Sequence, residues 1–248
     1  MWAPRRSGDL PLVLGHRGSS AHATENTLAA FGQARTDGAD GVELDVMLCA
    51  SGEVVVFHDD DLRRLAGRPE RIAVMPYRLL RDLPLAGGGT IPLLEQVFDA
   101  CGPDLLVNVE LKVNEIDPRG TGALVDAVAA VVRRLGVGPR VLVSSFNPWA
   151  VWVWTRRVPE IPAGLLFERG SRLPLRRAWL APVIRPFALH PELVLCDPAR
   201  VAAWKRRGYM VSVWTVDDPD ALAACRRMGV DAVITNDPAR ARAALRAA

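Results

Sequence analysis

Short runs of apolar, often β-branched residues alternate with stretches of helical periodicity along the whole chain. A short apolar run between turn signals predicts a buried strand, and apolar positions three and four residues apart predict one face of a helix. Eight such strand–helix units in 248 residues predict a TIM barrel, the (β/α)8 fold of the α/β class. The predicted strands cover residues 12–15, 42–46, 105–112, 141–143, 163–167, 187–189, 210–214 and 232–234. A doubly wound open sheet is the alternative, and it would gather the site at one switch point.

One stretch interrupts this alternation after the second strand. Residues 54–57 form a β-branched run that predicts a small extra strand, and residues 61–92 show no strong period. We therefore expect a short insertion after the second strand, with loop structure at its glycine-rich tip. Two helix starts are predicted nearby, with Thr24 as an N-cap and Pro92 as a first helical residue.

Acidic, basic and histidine side chains recur at the ends of the first predicted strands. The set consists of His16, Arg17, Glu43, Asp45, His58, Glu110 and Lys112. Glu43 and Asp45 are two positions apart and therefore share one face of their strand, as do Glu110 and Lys112. The active site of a TIM barrel lies at the carboxyl ends of its strands. The sequence therefore predicts that this set meets at the barrel mouth.

The three carboxylates predict a cation site. Glu43, Asp45 and Glu110 would repel one another and take up protons unless a cation lay between them. All-oxygen ligation suits Mg²⁺ or Ca²⁺ better than zinc. The alternative is that each carboxylate forms an ordinary ion pair with an arginine on the rim. Interior barrel positions are normally branched and apolar, so three acidic residues there favour the cation site.

The histidines and the basic residues complete this chemistry. His16 and His58 are the candidate acid and base, because imidazole titrates near neutral pH. Arg17 and Lys112 add fixed positive charge, and a cation with these two groups stabilises the non-bridging oxygens of a phosphate. The residues alone thus predict metal-dependent phosphoryl chemistry. His190, after the sixth predicted strand, either lines the same pocket or fixes the turn that follows.

Composition excludes some classes of function. The formal net charge of +3 is too small to predict a nucleic-acid-binding protein. The four cysteines lie far apart without a CxxC pair, which predicts reduced thiols and a cytoplasmic location. The apolar run near the N-terminus is too short for a secretory signal or a membrane span. Because no linker or internal repeat divides the chain, we expect a single domain over residues 1–248.

Motifs spread in order over nearly the whole chain resemble those of a known family. They are His16-Arg17-Gly18, Glu25-Asn26-Thr27, Glu43-Leu44-Asp45-Val46, His58-Asp59, Ile91-Pro92-Leu93-Leu94-Glu95, Asn108-Val109-Glu110-Leu111-Lys112, Ser144-Ser145-Phe146, Val213-Trp214-Thr215-Val216-Asp217-Asp218 and Gly229-Val230-Asp231-Ala232-Val233-Ile234-Thr235-Asn236. On these residues the chain resembles the glycerophosphodiester phosphodiesterase family. Together the motifs are far more specific than any one of them.

The resemblance implies a TIM-barrel enzyme that uses one divalent cation, Mg²⁺ or Ca²⁺. Such an enzyme hydrolyses glycerophosphodiesters, for example glycerophosphocholine or glycerophosphoethanolamine, to glycerol 3-phosphate and an alcohol. By position it implies metal ligands at Glu43, Asp45 and Glu110, an acid–base pair at His16 and His58, phosphate contacts at Arg17 and Lys112, and a pocket wall at Trp214. The nucleophile is either water or the substrate's own neighbouring hydroxyl.

The chain also departs from the family pattern. Residues 60–65 differ from the family's usual stretch after the second histidine, which puts substrate fit in doubt but not the chemistry. Residues 169–185 hold five arginines and no acidic residue, and they form either a peripheral contact with lipid or an ordinary solvated face. Lipid contact would favour a lysophospholipase D with the same site. A catalytically silent barrel that only binds phosphorylated ligands is the alternative from another class.

Overall fold

The computed structural model describes residues 1–6, 8–113 and 118–247. Its strands are β1 (Leu12–His16), β2 (Gly41–Leu48), β3 (Val54–Val56), β4 (Leu106–Leu111), β5 (Val141–Ser145), β6 (Ala163–Phe167), β7 (Ala188–Pro191), β8 (Met210–Val213) and β9 (Ala232–Thr235). All except β3 pair in parallel, and β1 pairs with both β2 and β9, which closes the sheet into a barrel. The predicted TIM barrel is confirmed, and the predicted strand limits agree to within two residues.

Helices connect the strands on the outside of the barrel. They are α1 (Leu28–Thr36), α2 (Arg63–Ala66), α3 (Tyr77–Leu80), α4 (Leu94–Cys101), α5 (Pro118–Leu135), α6 (Pro148–Arg157), α7 (Leu173–Arg176), α8 (Ala181–Ile184), α9 (Pro198–Arg206), α10 (Pro219–Met228) and α11 (Pro238–Ala247). One-turn 3₁₀ helices occur at Ile72–Val74, Gly138–Arg140 and Leu193–Leu195. Within the described ranges, no helix combines the length and the apolar character needed to cross a bilayer.

Both predicted helix starts are wrong by a few residues. The N-cap of α1 is Thr27 and not Thr24, because Asn26 has a left-handed backbone with φ +57° and the helix begins only after it. The Thr27 hydroxyl accepts a hydrogen bond from the Ala30 N–H. Helix α4 begins at Leu94 instead of Pro92, since the Pro92 carbonyl accepts a hydrogen bond from the Val56 N–H of β3.

The glycine-rich tip of the insertion after β2 is loop, as predicted, and the rest of the insertion has more regular structure than its lack of a strong period indicated. Strand β3 pairs antiparallel with the end of β2, and helices α2 and α3 follow it. A separate apolar cluster holds these pieces together, with Phe57, Leu62, Ile72, Leu80 and Ile91 all buried. The spacing of these side chains follows no helical or strand period, which explains why the sequence pattern did not reveal the helices. The insertion is therefore a folded unit beside the mouth of the barrel.

The barrel interior changes from apolar to polar toward the carboxyl ends of the strands. Trp2, Leu14 and Leu142 belong to an apolar cluster inside the barrel. A second set of inward-facing side chains is buried and polar, and it consists of Asn108, Ser144, His190 and Ser212. His190 is fully buried and does not line the cavity described below, so the first of its two predicted roles is wrong. Pro191 still belongs to β7, so no turn begins directly after His190. A Cβ atom on Gly164 would lie 2.6 Å from Nε2 of His190, so this glycine leaves room for the imidazole.

Candidate active site

A cavity of about 420 Å³ opens at the carboxyl ends of the barrel strands. Its lining consists of His16, Arg17, Glu43, His58, Glu110, Lys112, Phe146, Leu166, Glu168, Ser171, Trp214 and Ile234. The structure thus brings together seven of the eight predicted site residues at this mouth. The eighth, Asp45, is buried and contacts two of the lining residues, Arg17 and Lys112.

Three carboxylates converge at the floor of this cavity. Glu43 and Asp45 come from β2, and Glu110 comes from the neighbouring β4, where it is the register partner of Asp45. One oxygen atom from each of the three lies within 4.8 Å of the others, and all three residues are buried. Burial and the carboxylates of Asp45 and Glu110 raise the pKa of Glu43 well above its ordinary value. Burial and Asp45 likewise raise the pKa of Glu110.

Two basic side chains partly neutralise this cluster. Nζ of Lys112 lies 3.0 Å from Glu110 Oε1 and 3.5 Å from Asp45 Oδ1. Nε of Arg17 lies 3.2 Å from Asp45 Oδ2. Two positive charges face three carboxylates, so the buried cluster retains an excess of negative charge when all are ionised. Hard oxygen donors with unbalanced negative charge fit a divalent cation such as Mg²⁺ or Ca²⁺.

The loop after β1 fixes the position of Asp45. Arg17 and Asn26 both have left-handed backbones, with φ values of +55° and +57°, and the Arg17 carbonyl accepts a hydrogen bond from the Asn26 N–H. Nδ2 of the buried Asn26 donates to Asp45 Oδ2 at 2.8 Å. The Arg17 N–H donates to Glu43 Oε2 at 3.1 Å. This turn therefore orients two of the three carboxylates through backbone and amide groups.

A chain of hydrogen bonds determines which nitrogen of His16 carries a proton. An Asp217 carboxylate oxygen accepts a hydrogen bond from Nδ2 of Asn236 at 2.6 Å, which turns the amide oxygen of Asn236 toward His16 Nδ1 at 2.8 Å. A carboxylate and an amide oxygen only accept, so Nδ1 must be the protonated nitrogen and Nε2 carries the lone pair. Nε2 lies 4.0 Å from Glu43 Oε2, at the cavity. Burial and Arg17 lower the pKa of His16, which favours this neutral form.

His58 has a different environment. Its Nδ1 lies 2.6 Å from Asp59 Oδ1, and the other oxygen of Asp59 accepts a hydrogen bond from Nε of Arg64 at 2.6 Å. Arg64 also donates to both oxygens of Glu25, which pairs with Arg17 at 2.7 Å. Despite partial burial, the guanidinium groups of Arg64 and Arg17 lower the pKa of Glu25 to about 2. This network connects the insertion, through Arg64, to both His58 and the carboxylate cluster.

The opposite wall of the cavity is mostly apolar. The rings of Phe146 and Trp214 meet edge to face, with centroids 5.3 Å apart. Nε1 of Trp214 donates to the His190 carbonyl at 2.8 Å, which fixes the indole. Leu166 and Ile234 add aliphatic surface between them. The cavity thus has a charged half from β1 to β4 and a half from β5 to β9 that is apolar except for Glu168 and Ser171.

Several side chains of this site received no role from sequence reasoning. Four of them lie inside the family motifs, and this membership is the only feature of the sequence that indicated a role in the site: Asn26, Asp217, Asn236 and Phe146. Arg64 lies in the stretch that departs from the family pattern, so no signal marked it. The two remaining polar residues of the lining, Glu168 and Ser171, come from the loop after β6 and follow no motif.

Comparison with known proteins agrees with the fold and identifies the family. The chain matches the glycerophosphoryl diester phosphodiesterase family over residues 16–240. It is 32% identical over 236 residues to a glycerophosphodiester phosphodiesterase of Caldanaerobacter subterraneus subsp. tengcongensis, across 92% of this chain and 94% of that protein.

Solved structures share the same fold over nearly their whole length. A phosphodiesterase of Oleispira antarctica, in complex with the product sn-glycerol-3-phosphate, superimposes with a TM-score of 0.83 at 28% identity, covering 96% of this chain and 97% of that one. A glycerophosphodiester phosphodiesterase of Thermotoga maritima superimposes with a TM-score of 0.77 at 29% identity, covering 93% and 96%. Fold and family together define a TIM-barrel phosphoric diester hydrolase. The chain belongs to the glycerophosphoryl diester phosphodiesterase family, and its enzyme class is glycerophosphodiester phosphodiesterase.

Proposed function

We propose that this chain hydrolyses glycerophosphodiesters such as glycerophosphocholine and glycerophosphoethanolamine in a metal-dependent reaction that yields glycerol 3-phosphate and an alcohol. The observation that carries the proposal is the convergence of Glu43, Asp45 and Glu110 within 4.8 Å, in a cavity that two histidines also line. The product complex of the Oleispira antarctica relative supports the same reaction class. Residues 1–248 act as one domain in this proposal, because a single apolar cluster extends from Val13 to Leu245.

Glu43, Asp45 and Glu110 would hold one divalent cation, Mg²⁺ or Ca²⁺. Their mutual repulsion, expressed in the raised pKa of Glu43, is relieved by a cation between them. When bound, the cation supplies Lewis-acid stabilisation of charge on the phosphate oxygens. Arg17 and Lys112 flank this position and bind the same oxygens from either side, as guanidinium and ammonium groups do in phosphate sites.

The two histidines take opposite proton-transfer roles in this proposal. His16 presents an unprotonated Nε2 to the cavity, which suits a proton acceptor, and Asn236 holds that tautomer. His58 lines the cavity and is oriented by the carboxylate of Asp59 at its Nδ1, so we assign it as the proton donor to the leaving alkoxide. The atom that loses its proton to His16 belongs either to water or to the substrate's own neighbouring hydroxyl. Trp214 and Phe146 pack against the glycerol or alcohol group.

The decisive experiment measures glycerol 3-phosphate release from glycerophosphocholine and glycerophosphoethanolamine with EDTA, Mg²⁺ or Ca²⁺. We expect EDTA to abolish release and one of the metals to restore it. His16→Ala and His58→Ala should each lower turnover by about a hundredfold or more. His22→Ala is the matched control. His22 lies in the same loop after β1 as Arg17, but it contacts Asp37 and Asp237 instead of lining the cavity. Metal-independent release, or near-normal turnover of both cavity variants, would contradict the proposal.

A lysophospholipase D activity with the same site is a second candidate. The observation that favours it is the arginine-rich chain after β6, whose first residues, Glu168 and Ser171, line the cavity. Faster turnover of lysophosphatidylcholine micelles than of glycerophosphocholine would support this reading. A silent phosphate-binding barrel is disfavoured, since both histidines and all three carboxylates are present. A cytoplasmic location is proposed from the four cysteines, which are all unpaired.

A further inference from the structure

The segment between β6 and β7 leaves the barrel at the active-site face. Glu168 and Ser171 at its start line the cavity, and the short helices α7 and α8 follow. From residue 169 to residue 185 the segment contains five arginines and no acidic residue. Its positive charge is therefore placed beside the cavity and is not balanced within the segment.

Four arginines surround a second depression next to this cavity. It measures about 310 Å³ and is lined by Arg169, Arg176, Arg177 and Arg200 together with Val194 and Leu195. Arg200 pairs with Asp197 at 3.5 Å, and Nη1 of Arg176 donates to the Arg169 carbonyl at 3.4 Å. A Glu192 carboxylate oxygen accepts the Arg169 backbone N–H at 2.7 Å.

The charge in this depression is only partly neutralised. In the part of the chain that the structure describes, the guanidinium groups of Arg169, Arg176 and Arg177 have no carboxylate oxygen within 4.0 Å. Unpaired guanidinium groups that converge on one depression are the arrangement that binds phosphate groups, because each offers several donors in one plane. The depression thus fits an anionic phosphate ligand.

Large apolar side chains are exposed around the same depression. Trp179 is 61% exposed, Val194 is 57% exposed and Leu173 is 44% exposed. Leu173 is the first residue of α7, three positions before Arg176, and Trp179 lies two positions after Arg177. Tryptophan and leucine beside arginines are typical of surfaces that lie in the interface of a bilayer, where the rings enter the headgroup region. A free phosphate gives these apolar groups no partner, and the bases of a polynucleotide could stack on Trp179 but give the aliphatic Leu173 and Val194 no partner.

We propose that the surface formed by Arg169, Arg176, Arg177 and Arg200 with Leu173, Trp179 and Val194 docks onto an anionic phospholipid bilayer. Lipid phosphates enter the arginine depression, and the tryptophan and leucine side chains enter the headgroup region. Docking places the cavity mouth at the membrane, where phospholipid breakdown produces its substrates. Vesicle binding is measured without catalysis. A failure to bind vesicles can therefore be distinguished from a failure of the proposed hydrolysis.

Sedimentation with vesicles tests this surface. The full chain is mixed with vesicles of phosphatidylcholine alone, or of phosphatidylcholine with about one third phosphatidylglycerol, at low and high salt. We expect binding to the anionic vesicles only, and weaker binding in high salt. No binding to anionic vesicles, or equal binding to both kinds, would overturn the proposal. Retention on immobilised RNA without vesicle binding would assign the surface to a polynucleotide instead and would also overturn it.

Matched charge-reversal variants locate the contact. Arg176→Glu with Arg177→Glu changes the last residue of α7 and its C-cap, and Arg206→Glu with Arg207→Glu changes the same positions of α9. The α9 pair lies at the amino-terminal end of the barrel, because α9 runs back toward the start of β8. Each arginine near an anionic membrane contributes about a fivefold gain in affinity, so the α7 variant should bind about twentyfold more weakly or worse.

The control variant and Trp179→Ser complete the test. The α9 variant should bind like the parent protein, and Trp179→Ser should weaken binding without removing its salt dependence. Glycerophosphocholine turnover should stay unchanged in all three variants, which shows that each one is folded. Equal losses of binding in the α7 and α9 variants would overturn the proposal, because they would show a dependence on net charge and not on this surface.

Discussion

The buried imidazole of His190 should make the protein sensitive to acid. Burial lowers the pKa of His190 from 6.5 to about 3, and no charged neighbour contributes to the shift. Between these two pH values only the unfolded chain binds the proton, so the free energy of unfolding falls as the pH falls. Each pH unit below 6.5 lowers the free energy of unfolding by about 1.4 kcal/mol. At pH 5.0, about 1.5 units below 6.5, the protein should therefore be about 2 kcal/mol less stable than at pH 7.5.

Urea unfolding at pH 7.5 and pH 5.0 measures this term. Other groups titrate in the same range, so the informative quantity is the difference between variants. His190→Gln should be less stable than the parent at pH 7.5, but it should lose about 2 kcal/mol less on acidification. Ser212→Ala is the control, because Ser212 belongs to the same buried polar set and carries no titrating group. An equal loss in the parent and in His190→Gln would refute the reasoning.

Three further predictions follow from buried groups. Gly164→Ala should cost about 1–3 kcal/mol, because its Cβ would lie 2.6 Å from Nε2 of His190, and His190→Ala should remove most of this cost in a double-mutant cycle. Asp231→Ala should cost about 2–4 kcal/mol in urea unfolding, since this buried carboxylate accepts hydrogen bonds from Lys205 and the Val211 N–H, and a change under 1 kcal/mol would contradict it. Mg²⁺ or Ca²⁺ should raise the melting temperature of the EDTA-treated protein, and Glu110→Gln should abolish most of that rise. An equal rise in Glu110→Gln would remove this residue from the cation site.

The strand ends of this protein were predictable because their geometry is regular. The two-residue period places Glu43 and Asp45 on one face of β2, and parallel pairing then brings Glu110 of β4 beside them. Charged residues are unusual at interior positions of a barrel, so the sequence also indicated that His16 and Lys112 belong to the site. All of these residues except the buried Asp45 line one cavity. Their chemical roles remain predictions.

The supporting groups were not predictable, because they depend on irregular backbone. Asn26 contacts Asp45 only because the chain takes a left-handed turn there, and no periodic pattern marks such a turn. Asn236 and Asp217 lie on loops after β9 and β8, and Asn236 reaches His16 only because β9 pairs with β1 and closes the barrel. Arg64 reaches Asp59 from the folded insertion, whose core has no recognisable period.

The two halves of the cavity differ in how many contacts an amino-acid substitution would disturb. In the half from β1 to β4, Arg17 donates a hydrogen bond to Glu43 and pairs with Asp45, so replacing one of these residues disturbs its neighbours. In the opposite half, Phe146 and Leu166 contribute surface and shape. Under the proposed function, substitutions there would adapt the protein to larger or smaller alcohol groups while the charged half is kept. Substitutions in the opposite half would therefore change the range of substrates while the charged residues stay in place.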